Sequence, residues 1–161
     1  MEGAIKKAMI KTFIGIDPGV NTGFAVWKSE ACNPGYFELL TTWSFWETIE
    51  ALETYHVRSY LEEEELLVVL EDPNQNAPVW VRPGQQGRTH VKIGQNVGMN
   101  KRDAQLLADY CFRKKINIVL RKPQPGSMTK LSAESFKNIT KFTRRTSEHS
   151  RDAGMLVFDM K

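Results

Sequence analysis

Apolar and polar positions along the chain change rhythm several times, and each change predicts an element. Lys11 to Asp17 (KTFIGID) is rich in strand-forming residues and stops at the turn-forming pair Pro18-Gly19. Thr22 to Lys28 and Gly35 to Thr42 read as two more strands, so this part of the chain predicts an antiparallel meander. Ser44-Phe45-Trp46-Glu47 has the form of a capping box, in which Ser and Glu satisfy each other's backbone amides. It opens a helix predicted to run to about Glu64. Leu66 to Glu71 (LLVVLE) is an unbroken apolar run, the pattern of a strand covered on both faces.

Asp72 to Gly98 breaks the rhythm. It holds Pro73, Pro78 and Pro83 and glycines at 84, 87, 94 and 98, and it reads as a long irregular segment with a functional use. Asn100 is placed to cap a helix through about Lys114, with Leu106, Leu107, Tyr110 and Cys111 on its apolar side. Ile116 to Leu120 is a short apolar strand. A proline-rich turn follows, then a weak helix near Ser132 to Thr140. A last helix begins around Ser147 and turns Met155, Leu156 and Phe158 inward. Three strands, a helix, a strand, a helix, a strand and further helices predict an α/β sheet covered by helices.

Composition narrows the function more than the fold. The chain has 161 residues, which predicts one domain over 1–161. It contains no apolar run of spanning length, and Asp17 interrupts the apolar stretch after Lys6, Lys7 and Lys11, so a signal peptide is not expected. Cys32 and Cys111 form no CxxC pair and read as two reduced thiols of a cytoplasmic protein, not as a disulfide or zinc framework. The net charge of +3 hides a strong asymmetry. Lys28 to Asp72 carries 2 basic and 11 acidic residues, whereas Lys101 to Arg145 carries 12 basic and 3 acidic ones. The basic block has the composition of a phosphate-backbone footprint, although solvated helix surfaces give the same signal. The run Glu62 to Glu65 reads as the solvated end of a helix.

Three acids stand out by position. Asp17 ends the first strand, Glu71 ends the fourth, and Asp152 lies on the last helix. If the two strands are parallel neighbours, Asp17 and Glu71 leave the sheet at its carboxyl edge, where open α/β sheets bind ligands. Converging carboxylates repel unless a cation sits among them, and hard oxygen donors select magnesium or manganese. Two such ions suit phosphodiester hydrolysis. His149, one helical turn before Asp152, is placed to ligate metal or to handle a proton. Each residue also has a bland reading: Asp17 and Glu71 as turn-adjacent strand ends, His149 as a satisfied helix-end residue. Glu148 is a rival ligand on the Asp152 face.

The stretch Phe13-Ile14-Gly15-Ile16-Asp17-Pro18-Gly19-Val20-Asn21-Thr22-Gly23 resembles the opening of RuvC-like Holliday junction resolvases. Leu67-Val68-Val69-Leu70-Glu71 resembles their second acidic strand. Arg145 to Ala153 looks like their C-terminal helix, with its His-x-x-Asp-Ala pattern. The variant is most similar to the small resolvases of bacteriophages. The resemblance implies a ribonuclease-H-like fold with a five-stranded mixed sheet flanked by helices. It implies metal binding and catalysis by Asp17, Glu71, His149 and Asp152, with Mg²⁺, or Mn²⁺ as substitute, as two ions per active site. It implies a homodimer acting on four-way junctions and related branched DNA in recombination, in the host cytoplasm if phage-encoded. DNA contacts are expected from Lys101, Arg102, Lys130, Lys137, Lys141, Arg144 and Arg145. Trp80, Arg82, Arg88 and Lys92 are expected to reach DNA from the segment after Glu71.

Two other classes fit parts of the pattern. Actin-like ATPases also use Gly-x-Asp-x-Gly-x-Thr, but they need two copies of the fold, and no second such motif occurs. A junction-binding module without cleavage would not need every acid, and here all are present.

Overall fold

The computed structural model describes residues 10–30, 33–76, 88–123 and 130–161, with the backbone alone over 88–94. Strands β1 (Lys11–Asp17), β2 (Thr22–Glu30) and β3 (Asn33–Trp43) form the expected meander. Helix α1 (Phe45–Glu62) follows, then β4 (Glu65–Glu71), a short 3₁₀ turn (Pro73–Gln75), α2 (Arg88–Lys114) and β5 (Ile118–Arg121). Helices α3 (Ala133–Thr140) and α4 (Glu148–Val157) complete the order. The sheet runs β3-β2-β1-β4-β5. β2 is antiparallel to both β1 and β3, whereas β1, β4 and β5 are parallel. Three antiparallel strands continued by two parallel ones, with helices on both faces, are the arrangement of the ribonuclease-H-like fold.

Strand alternation builds the two layers. Ile14, Ile16, Phe24, Val26, Val68 and Leu70 face Leu52 of α1 and Leu107 and Cys111 of α2. Phe13, Ala25, Trp27 and Val69 face Phe136 of α3 and Ala153, Leu156 and Val157 of α4. β4 is therefore apolar throughout because it has a helical layer on each side. Burial pushes the Cys111 thiol up to about 12, and this cysteine is free; Cys32 lies outside the described residues. Among the described residues no helix is long and apolar enough to cross a membrane.

Two expectations need correction. The segment from Asp72 to Gly98 is not irregular throughout, because α2 already begins at Arg88 and Asn100 sits well inside it. Gly94 and Gly98 each weaken a helix by roughly 1 kcal/mol relative to Ala, which made this stretch look like a loop. The helix carries that cost because its C-terminal half buries Ala104, Leu107, Ala108 and Cys111. The acidic run after α1 is not wholly solvated either. α1 stops at Glu62, Glu63 takes a left-handed conformation at φ 56°, and the chain turns Glu64 inward onto Lys28 at 2.6 Å.

Candidate active site

The carboxyl edge of the sheet collects the predicted acids. β1 and β4 are parallel with Ile16 opposite Leu70, so the next residues, Asp17 and Glu71, leave adjacent strands side by side. Alternation turns both toward the α4 layer. α4 is started by Ser147, whose hydroxyl accepts from the Ser150 amide while the Ser150 hydroxyl accepts from the Ser147 amide. Ser147 also hydrogen-bonds Thr42 of β3, which pins the helix start to the sheet. Arg151 holds the preceding segment by donating to the carbonyls of Leu131 and Thr146 at 2.8 and 3.1 Å.

Close docking of α4 depends on two glycines. A Cβ on Gly23 would lie 2.0 Å from the His149 carbonyl oxygen, and one on Gly15 would lie 2.1 Å from that of Ala153. Both neighbours are backbone, so a methyl group at either position must lift the helix. The closeness brings His149 Nδ1 to 3.0 Å from Asp17 Oδ2. Gly23→Ala and Gly15→Ala are each expected to cost about 1–3 kcal/mol, the usual range for overpacking, and to break the His149–Asp17 contact. Thermal melting checks the first effect, and loss of Asp17's influence on the His149 titration, followed by NMR, checks the second. An unchanged His149 titration would mean that the helix position does not set that contact.

The electrostatics are those of crowded carboxylates. Burial, then the charges of Asp17 and Asp152, push Glu71 up to about 7. Burial, then Asp17 and Glu148, push Asp152 up to about 6, with His149 and Lys130 opposing. The hydrogen bond to Asp17 raises His149 above its ordinary value, against desolvation. Among the described residues no cation relieves Glu71: its cross-strand neighbour Arg121 donates to the Leu156 carbonyl at 3.0 Å instead. Asp152 Oδ1 is buried and has no hydrogen-bond partner among the described residues.

These features fit a hard divalent cation. Asp17 and Asp152 raise the proton affinity of Glu71, Asp17 raises that of Asp152, and among the described residues one buried oxygen lacks a donor, as expected where an ion supplies the missing charge. Among the described residues no group of three His, Cys, Asp or Glu side chains is already drawn together in a metal-holding arrangement. The contact already made is His149 on Asp17. Glu148, the rival ligand, is paired with Lys130 at 3.3 Å.

A pH test follows from the same shifts. A carboxyl held above its ordinary range takes up its proton more readily when folded, so it costs stability as pH rises through its folded value. Glu71 and Asp152 act this way, and a raised His149 loses its stabilising proton in the same direction. The melting temperature of the metal-free protein is therefore expected to fall between about pH 5 and about pH 8, and added Mg²⁺ to restore it at the upper end. A flat or rising profile with no Mg²⁺ effect would show that these groups are not coupled.

The basic residues divide by place. Lys130 lies beside α4 through its pairing with Glu148. Lys137 is on α3, the Lys141 ammonium donates to the Asn138 carbonyl at 2.8 Å, and the Arg144 guanidinium sits 5.4 Å from the Phe142 ring centroid. Arg145 is exposed in the segment entering α4. Lys101 and Arg102 are on α2, where Asn74 joins the Lys101 carbonyl to Asp72, the residue after Glu71. Arg88 and Lys92 fall in the first turns of α2, where side chains are not described. Trp80 and Arg82 lie outside the described residues. The sequence reading missed Gly15 and Gly23 as helix-docking positions, although both sit inside the motif that named Asp17. It also missed Arg121 and Arg151, for which the sequence carries no signal.

No family model matches the chain, and no curated protein matches it. Among solved structures it is similar to RuvC of Thermus thermophilus in complex with a Holliday junction substrate, at 15% identity and a TM-score of 0.49, covering 93% of this chain and 90% of that one. It is also similar to a second Thermus thermophilus RuvC structure, at 14% identity and a TM-score of 0.46 over the same shares.

Proposed function

We propose that this chain is a metal-dependent endonuclease of the RuvC-like resolvase kind, cutting four-way junctions and related branched DNA. The observation that carries the reading is the convergence of Asp17, Glu71 and Asp152 at one sheet edge, mutually repelling and with a buried oxygen that finds no donor among the described residues. Asp17, Glu71, Asp152 and His149 would hold Mg²⁺ or Mn²⁺. Bound there, divalent ions supply an activated water and stabilise the leaving oxygen of phosphodiester hydrolysis.

The chain's own residues do the rest. His149 shares a proton with Asp17 across their 3.0 Å contact and so fixes the orientation of that carboxylate. Gly15 and Gly23 let α4 approach, which keeps Asp152 at the edge. Lys130, Lys137, Lys141, Arg144 and Arg145 surround α4 and offer charge to phosphates, with Lys101 and Arg102 on α2 at the other side. A four-way junction is two-fold symmetric, so paired nicks call for a homodimer. The test is incubation of a labelled junction, a fork, a flap and linear duplex with Mg²⁺ and with EDTA. Magnesium-dependent nicks confined to the branched substrates are expected. Full cutting in EDTA, or no cutting of any branched substrate, would overturn the reading.

A further inference from the structure

β3 is the outer strand of the sheet, and among the described residues nothing pairs with its free side. An edge strand turns amides and carbonyls outward, where another extended chain can bond to them. Alternation points Leu39 and Trp43 of this strand toward the α1 layer. With Ala51 and Tyr55 of α1 they form the floor of a groove of about 350 Å³. Its walls are held in place. The Phe24 ring lies 5.0 Å from that of Trp43 and 6.2 Å from that of Tyr55, centroid to centroid. The Tyr55 hydroxyl donates to Glu38 at 2.8 Å. Ala51 is what leaves the groove open, since Glu47 and Tyr55, one turn to either side, both carry long side chains.

The rim of the groove selects its occupant. Glu47 and Glu50 both stand on it. One Glu47 oxygen accepts from the Ser44 amide and hydroxyl. Glu50 is exposed and forms no salt bridge among the described residues. An aliphatic stem fits the apolar floor, and the faces of Trp43 and Tyr55 attract a cation at its end. The two carboxylates add to that attraction and repel phosphate, which excludes nucleic acid from this groove. The surrounding chain has the same sign, with 2 basic against 11 acidic residues from Lys28 to Asp72.

We propose that β3 and this groove are a docking site for an extended basic segment of a partner protein. The segment adds a strand beside β3 and lays an Arg or Lys side chain over Trp43 and Tyr55 toward Glu50. Main-chain bonds supply affinity, and the groove supplies the preference for positive charge. Neither Glu50 nor Ala51 belongs to the acidic edge, so the docking site and the nuclease reading can fail separately. The probe is a short synthetic peptide alternating arginine and threonine, titrated into the isotope-labelled full chain and followed by NMR. Amide shifts are expected to gather at 39–43 and 47–55, with slowed hydrogen exchange along β3. Glu50→Lys reverses the rim charge and Ala51→Leu fills the floor, and each should weaken binding at least about tenfold. Glu50 is exposed, so its variant should melt as the intact protein does and carries the test if Ala51→Leu unfolds. Proline in place of each threonine removes amides that an added strand needs and should weaken binding likewise. No binding up to about 1 mM peptide would overturn the proposal. So would equal binding by the proline peptide, by one with glutamate for arginine, or by the Glu50→Lys protein. Shifts centred on Glu62 to Glu65, or displacement of the peptide by duplex DNA from the groove amides, would overturn it too. Groove shifts that grow with protein concentration alone would do the same, because a second copy would then be the occupant.

Discussion

Asp152→Asn is expected to lower junction cleavage by at least roughly 10²–10³-fold, the scale of deleting one preorganised electrostatic contact at a reacting centre, while junction binding persists. Asp17→Asn and Glu71→Gln should do the same. Each change keeps the side chain's volume and removes one charge. The distinguishing readout is stability. Glu71 and Asp152 are held well above the ordinary carboxyl range by burial and by one another's neighbours. Neutralising either removes a repulsion, so the metal-free Glu71→Gln and Asp152→Asn proteins should melt higher than the intact one at neutral pH. Asp17→Asn should gain less, because it also gives up the His149 contact. A residue that merely ended a strand would show the opposite pair of effects, with activity kept and stability unchanged or reduced. An Asp152→Asn protein that cut junctions at the intact rate would remove that residue from the site.

The parts of this molecule legible in sequence are those fixed by local rules. Alternation and an unbroken apolar run placed β1 to β4 because side chains must match the layer they face. Ser44 with Glu47, and Ser147, marked the starts of α1 and α4 because a helix needs its first amides satisfied. Asp17 and Glu71 were readable because a strand's end is visible, and parallel register then sets them side by side. What was not legible depends on contacts between distant segments. The first turns of α2 carry glycines that disfavour a helix, and the packing of its far end overrides them. Gly15 and Gly23 matter through the distance of α4 from the sheet, which no local pattern encodes. Glu64 looked like one more solvated acid because its cation is 36 residues earlier, on β2.

That ion pair gives the largest expected effect on stability. Lys28, with its side chain only 3% exposed, meets Glu64 at 2.6 Å, and Glu64 also accepts from the Thr12 hydroxyl at 2.7 Å. Glu38 stands 3.8 Å from the same ammonium and accepts from Arg58 and Tyr55. The cluster ties β1, β2, β3 and α1 together at the end of the sheet away from the acids. Removing one partner leaves a buried, uncompensated charge, so Lys28→Met is expected to cost about 3–5 kcal/mol. Joining it with Glu64→Leu should recover much of that loss, because a buried pair replaced by apolar side chains is often near neutral. The pH dependence gives a second check. Burial raises Glu64, but the bonds from Lys28 and Thr12 outweigh it and hold the carboxyl below its ordinary value. In the intact protein this stability is therefore present above the ordinary carboxyl range and is lost as pH falls through the lowered value. Without Lys28, burial dominates, Glu64 rises, and the folded state is relieved as the group protonates. The gap in unfolding free energy between intact and Lys28→Met proteins should thus be widest near neutral pH and narrow on acidification. Chemical denaturation across that range measures it. A gap that is constant with pH would mean that lost packing of the lysine stem, not its charge on Glu64, carries the effect.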